Sequence, residues 1–182
     1  MAIYTKKGDY GETSLYEEES TQRKRVSKDS LRVETLGAID ELTSFLGIAK
    51  IKIEDKKTQN IIGNIQKNLL TIGSIISGSK LRFSKAQTRK LEKLIDVLEG
   101  ELPVLKNFIV AGGHPAAAYL QYARSLARRS ERAVVSLSKL ERVKPQILTY
   151  LNRLSDALFM LARNENYKMG KRDEVWSGER NI

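Results

Sequence analysis

The sequence predicts an all-α protein: an antiparallel five-helix bundle with an irregular N-terminal arm. Three observations carry that reading. Apolar residues recur at i, i+3 and i+4 through five separate stretches from Ser30 onward. Ser84, Pro115 and Pro145 stand at the head of three of those stretches, as an N-cap serine and prolines at the first helical turn should. The connections are short, which makes successive helices antiparallel neighbours.

The elements follow in order. Residues 1–29 are polar, carry Gly8 and Gly11, and show no sustained period, so they read as an arm with at most a short extended piece at Ile3-Tyr4. The first helix carries Leu36, Ile39, Leu42, Phe45, Leu46 and Ala49. The second runs from near Thr58 to Ile76. The third starts after Ser84, carries Leu91, Leu94, Ile95 and Leu98, and has Gly100 as its stop signal. An irregular segment, 101–113, holds Pro103 and the pair Gly112-Gly113. His114 reads as a helix-start residue before the fourth helix, which extends from Pro115 to about Leu140. The fifth starts near Pro145. The bundle spans 30–167, and a polar tail with Trp176 as its large aromatic fills 168–182. At 182 residues the chain fits one domain.

Composition removes whole classes of chemistry. With no cysteine there is no disulfide, thiolate nucleophile, iron–sulfur cluster or Cys-based zinc site. A single histidine, His114, excludes a multi-histidine metal centre. Thirty-two Lys and Arg against 22 Asp and Glu leave a net charge of +10, which attracts anions: nucleic acid, anionic membranes or phosphorylated small molecules. No apolar run approaches the roughly 20 residues that span a bilayer. The opening Met1-Ala2-Ile3-Tyr4 lacks the apolar core of a signal peptide, and the expectation is a cytoplasmic protein.

Three constellations can carry chemistry. In the arm, Tyr4-Thr5-Lys6-Lys7-Gly8-Asp9-Tyr10-Gly11-Glu12-Thr13-Ser14 combines two glycines, three Ser/Thr hydroxyls and two lysines. Such a turn can offer backbone N–H groups to an anion. It is neither a Walker A loop nor a dinucleotide fingerprint, and taken alone it reads first as a solvated polar turn. In the fourth helix, Arg124, Arg128, Arg129 and Arg132 fall within nine residues, and Arg124, Arg128 and Arg132 share a face. Guanidinium forks suit phosphate, while an exposed face with intrahelical ion pairs, Glu131 holding Arg128, is the other reading. In the fifth helix, Asn152, Ser155 and Asp156 make a polar stripe on an apolar helix, which either pairs with the fourth helix or faces a site. Asp40, Glu41 and Ser44 repeat the theme on the first helix, where a buried Asp40 would want an arginine partner. Phe108, in the loop before Gly112-Gly113, is either core or the wall of an apolar pocket.

Together these pieces resemble the PduO-type ATP:cob(I)alamin adenosyltransferase family. The match is carried, in order, by the arm motif, Gly37-Ala38-Ile39-Asp40-Glu41-Leu42, Phe108-Ile109-Val110-Ala111-Gly112-Gly113, Ala123 to Arg132, and Leu151 to Phe159. The resemblance implies a five-helix bundle assembled as a homotrimer, with active sites between subunits. It implies transfer of the 5′-deoxyadenosyl group of ATP to the cobalt of cob(I)alamin, giving adenosylcobalamin and triphosphate. Thr5, Lys6, Lys7, Gly8, Thr13 and Ser14 would wrap the triphosphate, with Lys28 reaching in. Arg128, Arg129, Glu131, Arg132 and Asn152 would complete the ATP site, Arg128 stabilising the leaving group. Asp40 and Arg124 would form an ion pair shaping the corrin pocket, and Phe108 would lie beneath the corrin. Mg²⁺ would be bound mainly through ATP, with no side-chain ligand assigned. The implied partners are a cob(II)alamin reductase and an adenosylcobalamin-dependent enzyme, with no nucleic acid and no membrane.

The chain departs from the family pattern at Thr43, Ala111 and Gln121, and in the longer, charged run Glu17 to Arg25. The alternatives weighed beside the enzyme are a basic bundle that binds nucleic acid and a trimeric adenosylcobalamin carrier.

Overall fold

The computed structural model describes residues 4, 6–16 and 23–177. Five helices follow a short hairpin: α1 (Leu31–Ile51), α2 (Lys56–Ile76), α3 (Lys85–Glu101), α4 (Pro115–Ser138) and α5 (Pro145–Lys168). The predicted helices are all present. Gly100 does not stop the third, which runs one residue further to Glu101. The fourth ends at Ser138, two residues before Leu140.

The caps explain the boundaries. Asp55 starts α2 by accepting from the N–H groups of Lys57 and Thr58 at 3.1 and 3.0 Å. Ser84 accepts from Ala86 N–H at 3.2 Å. His114 is the N-cap of α4, its Nδ1 accepting from Ala116 N–H at 3.3 Å, with Pro115 behind it. Each bond satisfies an otherwise orphaned helix donor.

Helix α4 lies between α1 and α5, with α2 packed on α1 and α3 on α5. Its buried face explains the central place: Ala116, Ala117, Ala123 and Ala127 are small enough for helices to approach closely on both sides. Ser130, fully buried, donates to the Ala38 carbonyl of α1 at 2.8 Å. Leucine and isoleucine fill the rest of the core: Leu42, Leu46, Leu69, Leu120, Leu151 and Leu158 are fully buried. Tyr150 is also fully buried, edge-on to Phe83, with its hydroxyl accepting from Asn68 of α2 at 3.1 Å. Burial pushes the phenol up to about 12.

The arm is not irregular throughout. Strands β1 (Glu12–Tyr16) and β2 (Arg23–Ser27) form an antiparallel hairpin in which Ser14 opposes Arg25 and Thr13 opposes Val26. The polar tail is tied down as well: Ile109 and Val175 form an antiparallel bridge, so 108–110 and 174–176 run side by side. Among the described residues, no helix is long and apolar enough to cross a membrane.

Candidate active site

The arm presents a turn over residues 6–11 braced against the hairpin. Lys6 adopts a left-handed backbone (φ 56°), as does Gly11 (φ 78°), and Asp9 N–H closes on the Lys6 carbonyl at 3.4 Å. Lys28 N–H donates to the Gly11 carbonyl at 2.8 Å, and Lys28 Nζ reaches back to the Gly8 carbonyl at 2.7 Å. Lys28 thus lies against the arm turn. Lys6 and Lys7 are exposed, and Gly8, Thr13 and Ser14 are half-buried. Thr5, Ile3 and the run 17–22 lie outside the described residues. Sequence reasoning missed Arg25. Its guanidinium donates to the Lys7 carbonyl (2.5 Å), the Ser14 hydroxyl (3.4 Å) and the Glu12 carboxylate (3.2 Å).

The arginine helix divides its cations between two sides. Arg124 and Arg128 face α5 and line a cleft of about 530 Å³ with Ser155, Asp156, Phe159 and Met160. Partial burial, with Arg128 nearby, lowers the affinity of Arg124 for its proton. Arg129 instead pairs with Glu41 on α1, both side chains about half exposed. An ion pair so wet contributes only about 0–1 kcal/mol. Glu131 does not hold Arg128; its Oε1 accepts from Asn152 Nδ2 at 2.9 Å, linking α4 to α5. Arg128, Arg129 and Arg132 are all exposed.

Two expectations change. Asp40 is exposed rather than buried, because the buried stripe of α1 runs through Thr35, Ala38, Ile39, Leu42, Leu46 and Ala49 and leaves position 40 outside it. Among the described residues no ion pair joins it to an arginine; Arg124 Nε donates to Gln121 Oε1 at 2.9 Å. The stripe on α5 also splits. Ser155 is buried and donates to the Asn152 carbonyl, while Asp156 is exposed and pairs with Arg153 at 2.9 Å.

Phe108 is not core: its side of the loop is open and the residue is 80% exposed. Its ring stands edge-on to Trp176, centroids 6.5 Å apart. The loop that carries it is built on the end of α5. Arg163, 6% exposed, donates to Asp173 Oδ2 and to the Pro103 carbonyl, both at 2.7 Å. Asn166 accepts from His114 N–H at 2.9 Å and donates to the Gly112 carbonyl at 3.1 Å. Gly113 has φ 95°, and a Cβ there would overlap the Asn166 carboxamide. The consecutive polar residues Arg163-Asn164-Glu165-Asn166, all buried at the end of an apolar helix, were the available signal for this scaffold.

No hydrogen bond or ion pair joins Lys6, Lys7, Gly8, Thr13, Ser14 or Lys28 to Arg128, Arg129, Arg132 or Asn152 among the described residues. The described residues thus show two separate surfaces: a lysine-bearing turn on the arm, and an arginine face beside an exposed aromatic loop. Nor do the described residues hold a cluster of three or more His, Asp or Glu that could bind a metal.

The fold and these two surfaces define a class: five-helix bundles headed by a polar arm, with an arginine-bearing central helix and an exposed aromatic loop. The chain belongs to the cobalamin adenosyltransferase family, whose sequence model matches residues 3–165. It is 40% identical over 179 residues to the corrinoid adenosyltransferase of Bacillus subtilis (strain 168), covering 93% of this chain and 89% of that protein. The fold superposes with a TM-score of 0.91 on a variant of the PduO-type ATP:corrinoid adenosyltransferase from Lactobacillus reuteri, complexed with cobalamin and ATP. That pair is 31% identical, over 97% of this chain and 100% of the other. A second variant of the same enzyme, complexed with ATP, gives a TM-score of 0.89 at 32% identity, over 96% and 100% of the two chains.

Proposed function

We propose that this protein transfers the 5′-deoxyadenosyl group of ATP to the cobalt of cob(I)alamin, and does so as a homotrimer with its sites between subunits. The observation that carries the proposal is the pair of separated half-sites on one chain, on a fold whose relative is complexed with both ATP and cobalamin. A neighbouring subunit's arm facing the arginine helix would complete each site.

The reaction balances with little help from acid–base groups. The cobalt lone pair of Co(I) attacks C5′, the C5′–O bond breaks, and triphosphate departs with the bonding electrons. Cobalt becomes formally Co(III) in the alkyl product. The nucleophile comes with the substrate, so a chain with no Cys and one His, spent on capping α4, lacks nothing essential. What the protein supplies is position and positive potential where negative charge develops. Lys6, Lys7, Gly8, Thr13 and Ser14, with Thr5 and Lys28, hold the triphosphate. Arg128, Arg129, Arg132, Glu131 and Asn152 complete the nucleotide site, Arg128 neutralising the leaving group through a bidentate fork.

Mg²⁺ fits this set as a passenger. The turn's lysines and N–H groups offer no metal ligand, so Mg²⁺ would be held chiefly by phosphate oxygens, with only the Thr13 and Ser14 hydroxyls able to add to them. It would screen charge on the triphosphate.

On the corrin side, Phe108 offers an exposed ring on a braced loop. Covering that ring with the corrin face removes apolar surface from water and keeps a lower ligand off cobalt, which eases reduction of Co(II) to Co(I). Asp40 of one subunit and Arg124 of the next shape the pocket edge; neither has an ion-pair partner among the described residues. A cob(II)alamin reductase supplies Co(I), and an adenosylcobalamin-dependent enzyme receives the product, in the cytoplasm. The nucleic-acid reading leaves the braced turn and the Phe108 loop without a task.

The test is an anaerobic assay with ATP, Mg²⁺ and chemically reduced cobalamin, followed by cobalt absorbance with the product identified by mass. Protein-dependent adenosylcobalamin is expected. ATP binding without product would restrict the proposal to its nucleotide half, and no binding of either substrate would refute it.

A further inference from the structure

Arg25 lies on β2, exposed, on the face of the hairpin that also carries Ser14. It would pass for a surface arginine in the strand RKRVS. Yet its donors are spent on the arm. Nη2 bonds the Lys7 carbonyl at 2.5 Å, Nη1 lies 3.4 Å from the Ser14 hydroxyl, and Nε bonds Glu12 Oε2 at 3.2 Å. The Glu12 carboxylate, 3.1 Å from Nη2, offsets its charge. A guanidinium so engaged is poorly placed to serve as a free cation for phosphate.

What it does fix is the direction of one peptide group. The peptide between Lys7 and Gly8 is planar and trans, so its carbonyl and its N–H point opposite ways. Holding the Lys7 carbonyl against Arg25 sends the Gly8 N–H to the far side of the turn. Lys28 holds the next carbonyl, that of Gly8, at 2.7 Å. With both carbonyls drawn toward β2 and its exit, the turn shows an anion a donor instead of an acceptor. Arg25 therefore sets the sign of the dipole that the turn presents. A flipped peptide would aim a carbonyl at the phosphates and repel them.

We propose that Arg25 is a positioning residue for the ATP triphosphate, fastening the Lys7 carbonyl and the Ser14 hydroxyl so that the Gly8 N–H faces the phosphates. The inference rests on the arm being the triphosphate cradle of the adenosyltransferase. It assigns Arg25 no contact with substrate.

Two variants test it, Arg25→Met and Arg25→Lys, against the unaltered protein. ATP and cob(I)alamin are each varied with the other saturating, and MgATP binding is titrated calorimetrically. Arg25→Met should raise KM and Kd for ATP about tenfold or more, leaving kcat and KM for cob(I)alamin within about twofold. Arg25→Lys should show most of the same loss, because an ammonium keeps the charge but lacks the wide planar fork that reaches all three acceptors. Lysine behaving like arginine would mean that charge alone matters and would overturn the proposal. So would an unchanged ATP constant in both variants. A parallel rise in both KM values with a lowered melting temperature would replace positioning by a general structural role. If the unaltered protein turns over and Arg25→Met matches it, only this inference falls; if the unaltered protein neither binds ATP nor turns over, the cradle reading falls first.

Discussion

The backbone N–H of Trp176 donates to the carbonyl of Phe108 across 2.8 Å, and Val110 N–H donates to the Glu174 carbonyl at the same distance. The tail is thus a strand partner of the loop that holds the exposed phenylalanine. Truncation after Gly170 should therefore strip the loop of its brace and leave the buried Arg163 without Asp173. The expected outcome is an ATP Kd within about threefold of the full chain and a fall in cob(I)alamin kcat/KM of about tenfold or more. Separate titrations with each substrate check it.

Arg128 is exposed, so Arg128→Ala should leave the melting temperature nearly unchanged. Its loss should lower kcat/KM about 10²-fold or more, as for other donors aimed at developing charge. Arg128→Lys should recover only part, because the bidentate fork is gone. Steady-state kinetics beside a thermal melt separates the two readouts.

Gly113 occupies φ 95°, where a side chain is strained, and a Cβ there would overlap Asn166. Gly113→Ala should cost at least about 2 kcal/mol, or roughly 5 °C in melting temperature for a chain of this size. Scanning calorimetry checks the shift.

Tyr150 titrates at about 12 in the fold because burial penalises the phenolate. In the unfolded chain its pKa is about 10. The folded form holds the proton more tightly, so this stability is complete below pH about 10 and is lost as pH rises toward 12. Tyr150→Phe should flatten that alkaline loss. At neutral pH it should cost about 1 kcal/mol, since Asn68 loses an acceptor. Urea melts between pH 7 and 11 test both statements.

Asp55 has the opposite sign. Bonds from Lys168 (2.9 Å), from the Thr58 hydroxyl and from two backbone N–H groups hold its carboxyl well below the usual carboxylate range. Its contribution is present above the unfolded value of about 3.9 and disappears as pH falls below it. Asp55→Ala should cost about 1 kcal/mol at neutral pH through the lost cap, and the variant should lose less on acidification to pH 3 than the unaltered protein.

The helices were legible because their signals are local. Ser84, His114-Pro115 and Pro145 start helices wherever they stand, and the Leu and Ile stripes need only a 3.6-residue period. The hairpin was not legible. Glu12–Tyr16 and Arg23–Ser27 have little apolar alternation, and their pairing depends on cross-strand contacts such as Arg25 with Glu12 and Ser14. The burial of Asp40 was left open: a carboxylate beside core residues does not tell which side of the helix it takes until the stripe is fixed by packing on α4. Arg163 and Asn166 make their sense only through partners at Pro103, Gly112, His114 and Asp173, up to 60 residues away in the chain.

The central claim is that ATP is cut at C5′–O and nowhere along its phosphates. ³¹P NMR of an anaerobic reaction, run beside absorbance of the cobalt product, tests this most directly. The account predicts one intact triphosphate released for each adenosylcobalamin formed. Phosphate or diphosphate appearing as the primary product, or triphosphate released with no alkyl–cobalt product, would contradict it.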